Sequence, residues 1–180
     1  VEVNGKWGYI GSKCEFVINP QYTNARDFSG GLALIKVKDQ WGYIDAAGKN
    51  AIAPQFDEAK SLSGNLAAVK VENKYGYVDI KGEYVVNLLF DDAMDFSEGL
   101  AAAKSGGKWG YVNKTGNYAI PPQFKDVSGF SAGLAGVKSD SKWGYIDQRG
   151  KYVVNPLFDE ANRFSGGLAR VKISGDIGYI

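Results

Sequence analysis

The sequence predicts an all-β fold of tandem three-stranded antiparallel meanders stacked as an open β-solenoid or superhelix, with a five-bladed propeller-like ring as the alternative. Two observations lead there. A Trp-Gly-Tyr motif or its variant returns every 34 residues without insertion, at Trp7, Trp41, Tyr75, Trp109, Trp143 and Ile177. Inside each repeat, apolar residues recur at every second position between turn residues, which is the period of a strand. Paired helices would also suit a 34-residue period. However, Gly, β-branched and aromatic residues crowd every repeat, and Pro20, Pro54, Pro122 and Pro156 stand where a helix interior would run.

The array comprises full repeats 7–40, 41–74, 75–108, 109–142 and 143–176, with partial repeats 1–6 and 177–180, and is expected to be part of a longer chain. Each repeat opens on the Trp-Gly-Tyr strand. A turn follows, holding Gly48, Gly82, Gly116 or Gly150, with Cys14 in that place in the first repeat. The next strand carries the proline and is expected at a sheet edge, where a missing N–H does least harm. The stretch Asp-Glu-Ala-x-x-Phe-Ser-x-Gly then crosses to the next meander. A Leu-Ala strand ends in a lysine, and a tight polar connection such as Glu72-Asn73-Lys74 leads to the following Trp-Gly strand. The Trp-Gly strand is therefore central in each meander. Residues 171–180 repeat the phase of residues 1–10, so a closed five-part ring has no room for both, and the open form is preferred.

Composition narrows the functional classes. Twenty-one Lys and Arg balance twenty Asp and Glu, so net charge draws the chain to neither nucleic acid nor an anionic membrane. There is no histidine, and Cys14 is the single cysteine, which removes imidazole-based catalysis, the usual zinc ligands and an internal disulfide. No apolar run is long enough for a membrane span. The expectation is a protein that is not an enzyme and holds no cofactor or metal.

Several columns of residues invite a role. The Trp-Gly pair reads as the packing joint between successive sheets. The tyrosines Tyr9, Tyr43, Tyr77, Tyr111 and Tyr145, with a polar end on each ring, are candidates for an exposed ligand surface. The lysines Lys36, Lys70, Lys104, Lys138 and Lys172 would form a cationic stripe toward an anionic polymer, or else cover apolar surface and pair with Asp45, Asp79 and Asp147. The carboxylates Asp57-Glu58, Asp91-Asp92 and Asp159-Glu160 recur too often for a unique catalytic pair and read as turn or solvated positions. The serines Ser29, Ser63, Ser97, Ser131 and Ser165 read as bonding to local backbone, and the glycine pairs Gly30-Gly31, Gly106-Gly107 and Gly166-Gly167 as turns. Recognition is expected of the columns that vary: Leu34, Ala68, Ala102, Gly136 and Arg170.

The stretches Lys-Trp-Gly-Tyr-Ile-Asp, Asn-Pro-Leu-Phe-Asp-Glu-Ala and Phe-Ser-Gly-Gly-Leu-Ala-x-Val-Lys resemble the bacterial WG, or KWG, repeat family over essentially the whole chain. Tyr75 and Ile177 in place of Trp, Leu88 in place of Pro, and Cys14 in place of Gly are local departures. The resemblance implies a β-rich repeat from a bacterium, often secreted or envelope-associated. The function expected is a non-enzymatic scaffold for a protein partner or for self-assembly; the alternatives are a glycan or envelope-polymer binding module and a passive stalk on a domain outside this segment.

Overall fold

The computed structural model describes all residues from Val1 to Ile180, in twenty-two strands and no helix. The strands form six antiparallel sheets in chain order. The first sheet holds β1 (Glu2–Val3), β2 (Lys6–Ile10) and β3 (Phe16–Tyr22). In the second are β4 (Asn24–Ser29), β5 (Leu32–Val37), β6 (Gln40–Ile44) and β7 (Asn50–Phe56), and in the third β8 (Glu58–Ala59), β9 (Leu66–Val71), β10 (Lys74–Asp79) and β11 (Tyr84–Phe90). The fourth contains β12 (Asp92–Ala93), β13 (Ala101–Ser105), β14 (Lys108–Val112) and β15 (Tyr118–Phe124); the fifth β16 (Asp126–Val127), β17 (Leu134–Ser139), β18 (Lys142–Asp147) and β19 (Tyr152–Phe158). The last sheet has β20 (Glu160–Ala161), β21 (Arg170–Ile173) and β22 (Asp176–Tyr179). The chain divides into two compact units, Val1–Leu88 and Leu89–Ile180.

The Trp-Gly strand is central, the Leu-Ala strand lies on one side and the proline-bearing strand is outermost on the other. One element adds to the expected meander. The start of each crossing pairs with the Leu-Ala strand, as in Asp126↔Lys138 and Val127↔Val137, so the sheets of the complete repeats have four strands. The crossing then closes on itself, Ser131 N–H donating to the Leu134 carbonyl at 2.8 Å and Leu134 N–H returning a bond at 3.1 Å. That reversal needs a left-handed residue just before the leucine. Only Gly and Asn occupy the place, with φ of 85° at Gly31, 66° at Asn65 and 78° at Gly133.

The glycine of the Trp-Gly pair has a different task from the inter-sheet joint expected of it. Trp143 pairs with Phe158 and Tyr145 with Val154, so a single residue of the central strand faces three of the outer one. The surplus forms a bulge, which contains the proline and bends back over Gly144. A β-carbon there would lie 2.5 Å from the Val154 carbonyl oxygen and 2.8 Å from the Pro156 nitrogen. Gly8, Gly42, Gly76 and Gly110 are equally tight against their own outer strands. The glycine that does lie against a neighbouring sheet is the one in the turn: at Gly150, in a left-handed conformation at φ 81°, a β-carbon would sit 3.2 Å from Ile120 of the preceding sheet.

Within each unit, the middle sheet, the second or the fifth, is buried on both faces. In Val1–Leu88, Ala33, Ile35 and Ile44 of the second sheet pack with Ile18 and Tyr22 of the first, while Leu34, Tyr43, Ile52 and Phe56 pack with Ala67, Val69 and Val78 of the third. In Leu89–Ile180, Ala102, Tyr111, Ile120 and Phe124 meet Ala135, Val137 and Ile146. Double-sided burial explains the nearly unbroken apolar run of each Leu-Ala strand. It also corrects the assignment of recognition to the variable column, because Leu34, Ala68, Ala102 and Gly136 lie in the core. Arg170, the fifth of the column, is half-buried and paired with Glu160 at 3.5 Å.

Gly144→Ala is expected to cost about 2–4 kcal/mol through overpacking against backbone. Urea denaturation of the variant beside the wild type measures the loss; an unchanged midpoint would refute the bulge-seat role.

Candidate functional site

Each sheet carries one row of cross-strand neighbours at the start of its Trp-Gly strand. In the second sheet it reads Asn24, Lys36, Trp41, Phe56, and in the fifth Asp126, Lys138, Trp143, Phe158. The lysine ammonium sits over the ring beside it, 5.6 Å from the Trp41 centroid, 5.5 Å from Tyr75, 5.7 Å from Trp109 and 5.9 Å from Trp143. On its other side stands the short-strand residue. Glu58 is long enough to pair with Lys70 at 2.8 Å, and Glu160 with Lys172 at 3.2 Å. The shorter Asp92 and Asp126 instead accept from the next backbone amide, at Ala93 and Val127. Where tyrosine replaces tryptophan, the Tyr75 hydroxyl also donates to Glu58 at 2.6 Å. Lys70 first and Tyr75 second hold the Glu58 carboxyl below its ordinary range.

Lys36, Lys70, Lys104, Lys138 and Lys172 are therefore half-buried cations facing a ring or a carboxylate of their own sheet. The expected partners Asp45, Asp79 and Asp147 are not theirs. These aspartates close the hairpin turn, Asp147 accepting from the amides of Arg149 and Lys151 at 2.9 Å each, and Asp45 and Asp79 doing the same. Asp57, Asp91 and Asp159 close the other hairpin, accepting from the amides of Glu72, Gly106 and Ser174. Lys142 and the Ser174 amide together hold the Asp159 carboxyl low.

The tyrosine column is a correction. Tyr77, Tyr111 and Tyr145 are 0% exposed and Tyr43 is 1% exposed; only Tyr9, in the first sheet, is half-buried. Their hydroxyls are consumed internally, donating to a carbonyl in the crossing 17 residues ahead: Tyr9 to Arg26, Tyr43 to Lys60, Tyr111 to Ser128 and Tyr145 to Asn162. A buried phenol with its O–H satisfied anchors a loop and offers a ligand no face. Burial pushes the Tyr9 phenol up to about 12 and raises those of Tyr111 and Tyr145, with Arg163 acting against burial at Tyr111.

The serines also reach farther than expected. Ser29 donates to the Leu62 carbonyl and Ser131 to the Phe164 carbonyl, each at 2.7 Å, and Ser97 to that of Phe130. The acceptor is 33 residues ahead, in the next crossing.

What remains open is a surface that no recurring motif marks in the sequence: the side of the outer strand that faces away from the core. Along β19, Phe158 is buried while Val153 is 57% and Leu157 40% exposed; along β11, Leu89 is 62% exposed and Val85 is also open. The same strands begin with exposed aromatics at Phe16, Tyr84 and Tyr118. The signal was present as period-two alternation, in which every second residue of Val153-Asn-Pro-Leu-Phe has no partner on the core face.

The sequence profile described as "WG containing repeat" matches residues 7–41, 41–75, 75–109, 109–143 and 143–175. No curated protein is similar in sequence. Among solved structures, a eukaryotic initiation factor superposes with TM-score 0.62 at 12% identity, over 96% of this chain and 56% of its own. Hsv2p of Kluyveromyces lactis gives 0.58 at 12% identity, over 86% and 59%, and a KlHsv2 variant with loop 6CD replaced by a Gly-Ser linker gives 0.59 at 13%, over 86% and 62%. The chain thus spans less than two thirds of each. The likeness is one of fold, with repeated antiparallel sheets of β-propeller or solenoid type.

A phenol whose folded pKa exceeds its unfolded value of about 10 stabilises the fold fully below that pH and loses the contribution as pH rises through the folded value. The urea midpoint is expected to hold steady up to about pH 10 and to fall toward about pH 12, with tyrosinate absorbance from the buried rings appearing only as the chain unfolds. Ionisation of these rings in the folded chain at about pH 10 would contradict their placement.

Proposed function

Because the chain belongs to the WG containing repeat family, with all five of its repeats matched, we propose that it is a non-enzymatic scaffold whose outer strands bind a protein partner or a second copy of the chain. The open face of those strands carries this reading. The recurring columns singled out above are engaged internally: the lysines with rings and glutamates, the tyrosines and serines with crossing carbonyls, the aspartates with turn amides. Exposed apolar side chains gather along the outer strands and at the chain ends, with Phe28, Val37 and Ile80 as scattered single positions elsewhere. Covering one Val or Leu fully contributes about 1.5–3 kcal/mol, so a few such positions support a specific contact. Val153 and Leu157 lie on one face of β19 and would enter that contact together.

A glycan-binding reading moves to different residues. Tyr84 and Tyr118 are exposed at the start of their strands, and the Tyr118 ring is held edge-on against Phe90, with centroids 6.0 Å apart and planes at 76°. A fixed, exposed ring suits stacking on a sugar face.

Doubly substituted Val153→Glu/Leu157→Glu is expected to keep its urea midpoint while losing concentration-dependent association in sedimentation, or losing proteins crosslinked to the wild type in extracts of its source. A wild type that is monomeric at all concentrations and captures the same proteins as the variant would overturn the scaffold reading. Glycan-array binding abolished by Tyr118→Ala would favour the sugar reading instead.

A further inference from the structure

One position in the crossings departs from its column in a way that alters how the sheets are held. Residues Asp27, Ser61, Asp95, Gly129 and Arg163 are equivalent, 34 apart. In the unit Leu89–Ile180, the last of these reaches back across two crossings. Arg163 Nη2 donates to the Phe130 carbonyl at 2.8 Å and to Ser97 Oγ at 3.1 Å. Ser97 Oγ itself donates to the same Phe130 carbonyl, so three crossings meet at a single oxygen. The path of the guanidinium runs over Gly129, where a β-carbon would stand 3.4 Å from Arg163 Cζ and Nη2. Arginine supplies the reach, and glycine leaves beside the guanidinium a space that a β-carbon would just touch and a branched side chain would fill.

A second link runs beside the first. Glu98 Oε2 accepts from Gly133 N–H at 3.0 Å, and its backbone carbonyl accepts from the Gln148 side chain at 3.3 Å. The serine bonds alone join each crossing to the next, whereas Arg163 joins the third of these crossings to the first, 66 residues away. Aspartate, serine or glycine at the equivalent position has no donor long enough to span two acceptors.

We propose that Arg163 is a latch that makes the crossings 91–99, 125–133 and 159–167 open together, so that local opening in this unit is a single concerted event. Charge-assisted bonds are the strong ones, and an arginine can hold two acceptors at once with its forked donors. Its effect falls on the opening of loops; the sheet cores, held by apolar burial, are independent of it.

Amide hydrogen exchange resolved by residue tests this. The amides of Ser97, Ser131 and Ser165, each bonded across its own turn to a leucine carbonyl, report the three crossings, and that of Ser63 is the control. In the wild type the three are expected to share one opening rate. Arg163→Met should speed Ser97 and Ser131 by about tenfold and separate the rates, leaving Ser63 and the core strand amides unchanged. Gly129→Val keeps the arginine but blocks its passage; it should give the same acceleration, with no further gain in the double variant. Unchanged exchange in either single variant, or equal acceleration of every amide in the unit, would overturn the latch.

Discussion

The outer strand can approach the centre of each sheet only because the residue between the Trp-type and Tyr positions lacks a side chain. With a β-carbon at Gly144, the Val154 carbonyl and the Pro156 nitrogen would have to retreat, and the two-residue surplus of the bulge would have nowhere to lie. The bulge in turn sets the phase of the outer strand on either side. Phe158 comes opposite Trp143 and Val154 opposite Tyr145, so apolar side chains flank the buried tyrosine. From there the tyrosine hydroxyl pins the crossing, and the crossing delivers the next Leu-Ala strand. A steric vacancy on the central strand thus governs packing on the face and the path of the chain beyond it.

The strand types, their order and the central place of the Trp-Gly strand were readable because turn residues and period-two alternation bracket each of them. The short strand, such as Asp126–Val127, was hidden: two residues are too few for any period. The lysine's acidic neighbour was missed for the same reason, since it lies on that strand and not on the hairpin that holds Asp147. Ser131 and Phe164 stand 33 apart in a repeat of 34, and the sequence holds no sign that the hydroxyl skips to the next crossing when a local turn is also available. Prominence misled in one respect. Tyr111 and its equivalents recur because an identical buried hydrogen bond is needed in each repeat, which constrains a residue as firmly as ligand contact would.

The lysine rows show how charge is used at low cost. An ammonium over an indole or phenol ring, beside a carboxylate where the chain supplies Glu, shields the edge of the apolar layer from water while its stem covers carbon. The near-cancellation of acidic and basic residues in the whole chain is mirrored in these local pairings. The outer strands, by contrast, carry no charged residue at all.

The bonds from Tyr145 to Asn162, 17 residues ahead, and from Ser131 to Phe164, 33 ahead, act as register marks along the chain. Removal or duplication of a whole 34-residue segment leaves every such donor facing an equivalent acceptor, but a change of any other length strands one of them. A gene encoding such a chain can therefore lengthen or shorten it by recombination between repeats without passing through a misfolded intermediate length.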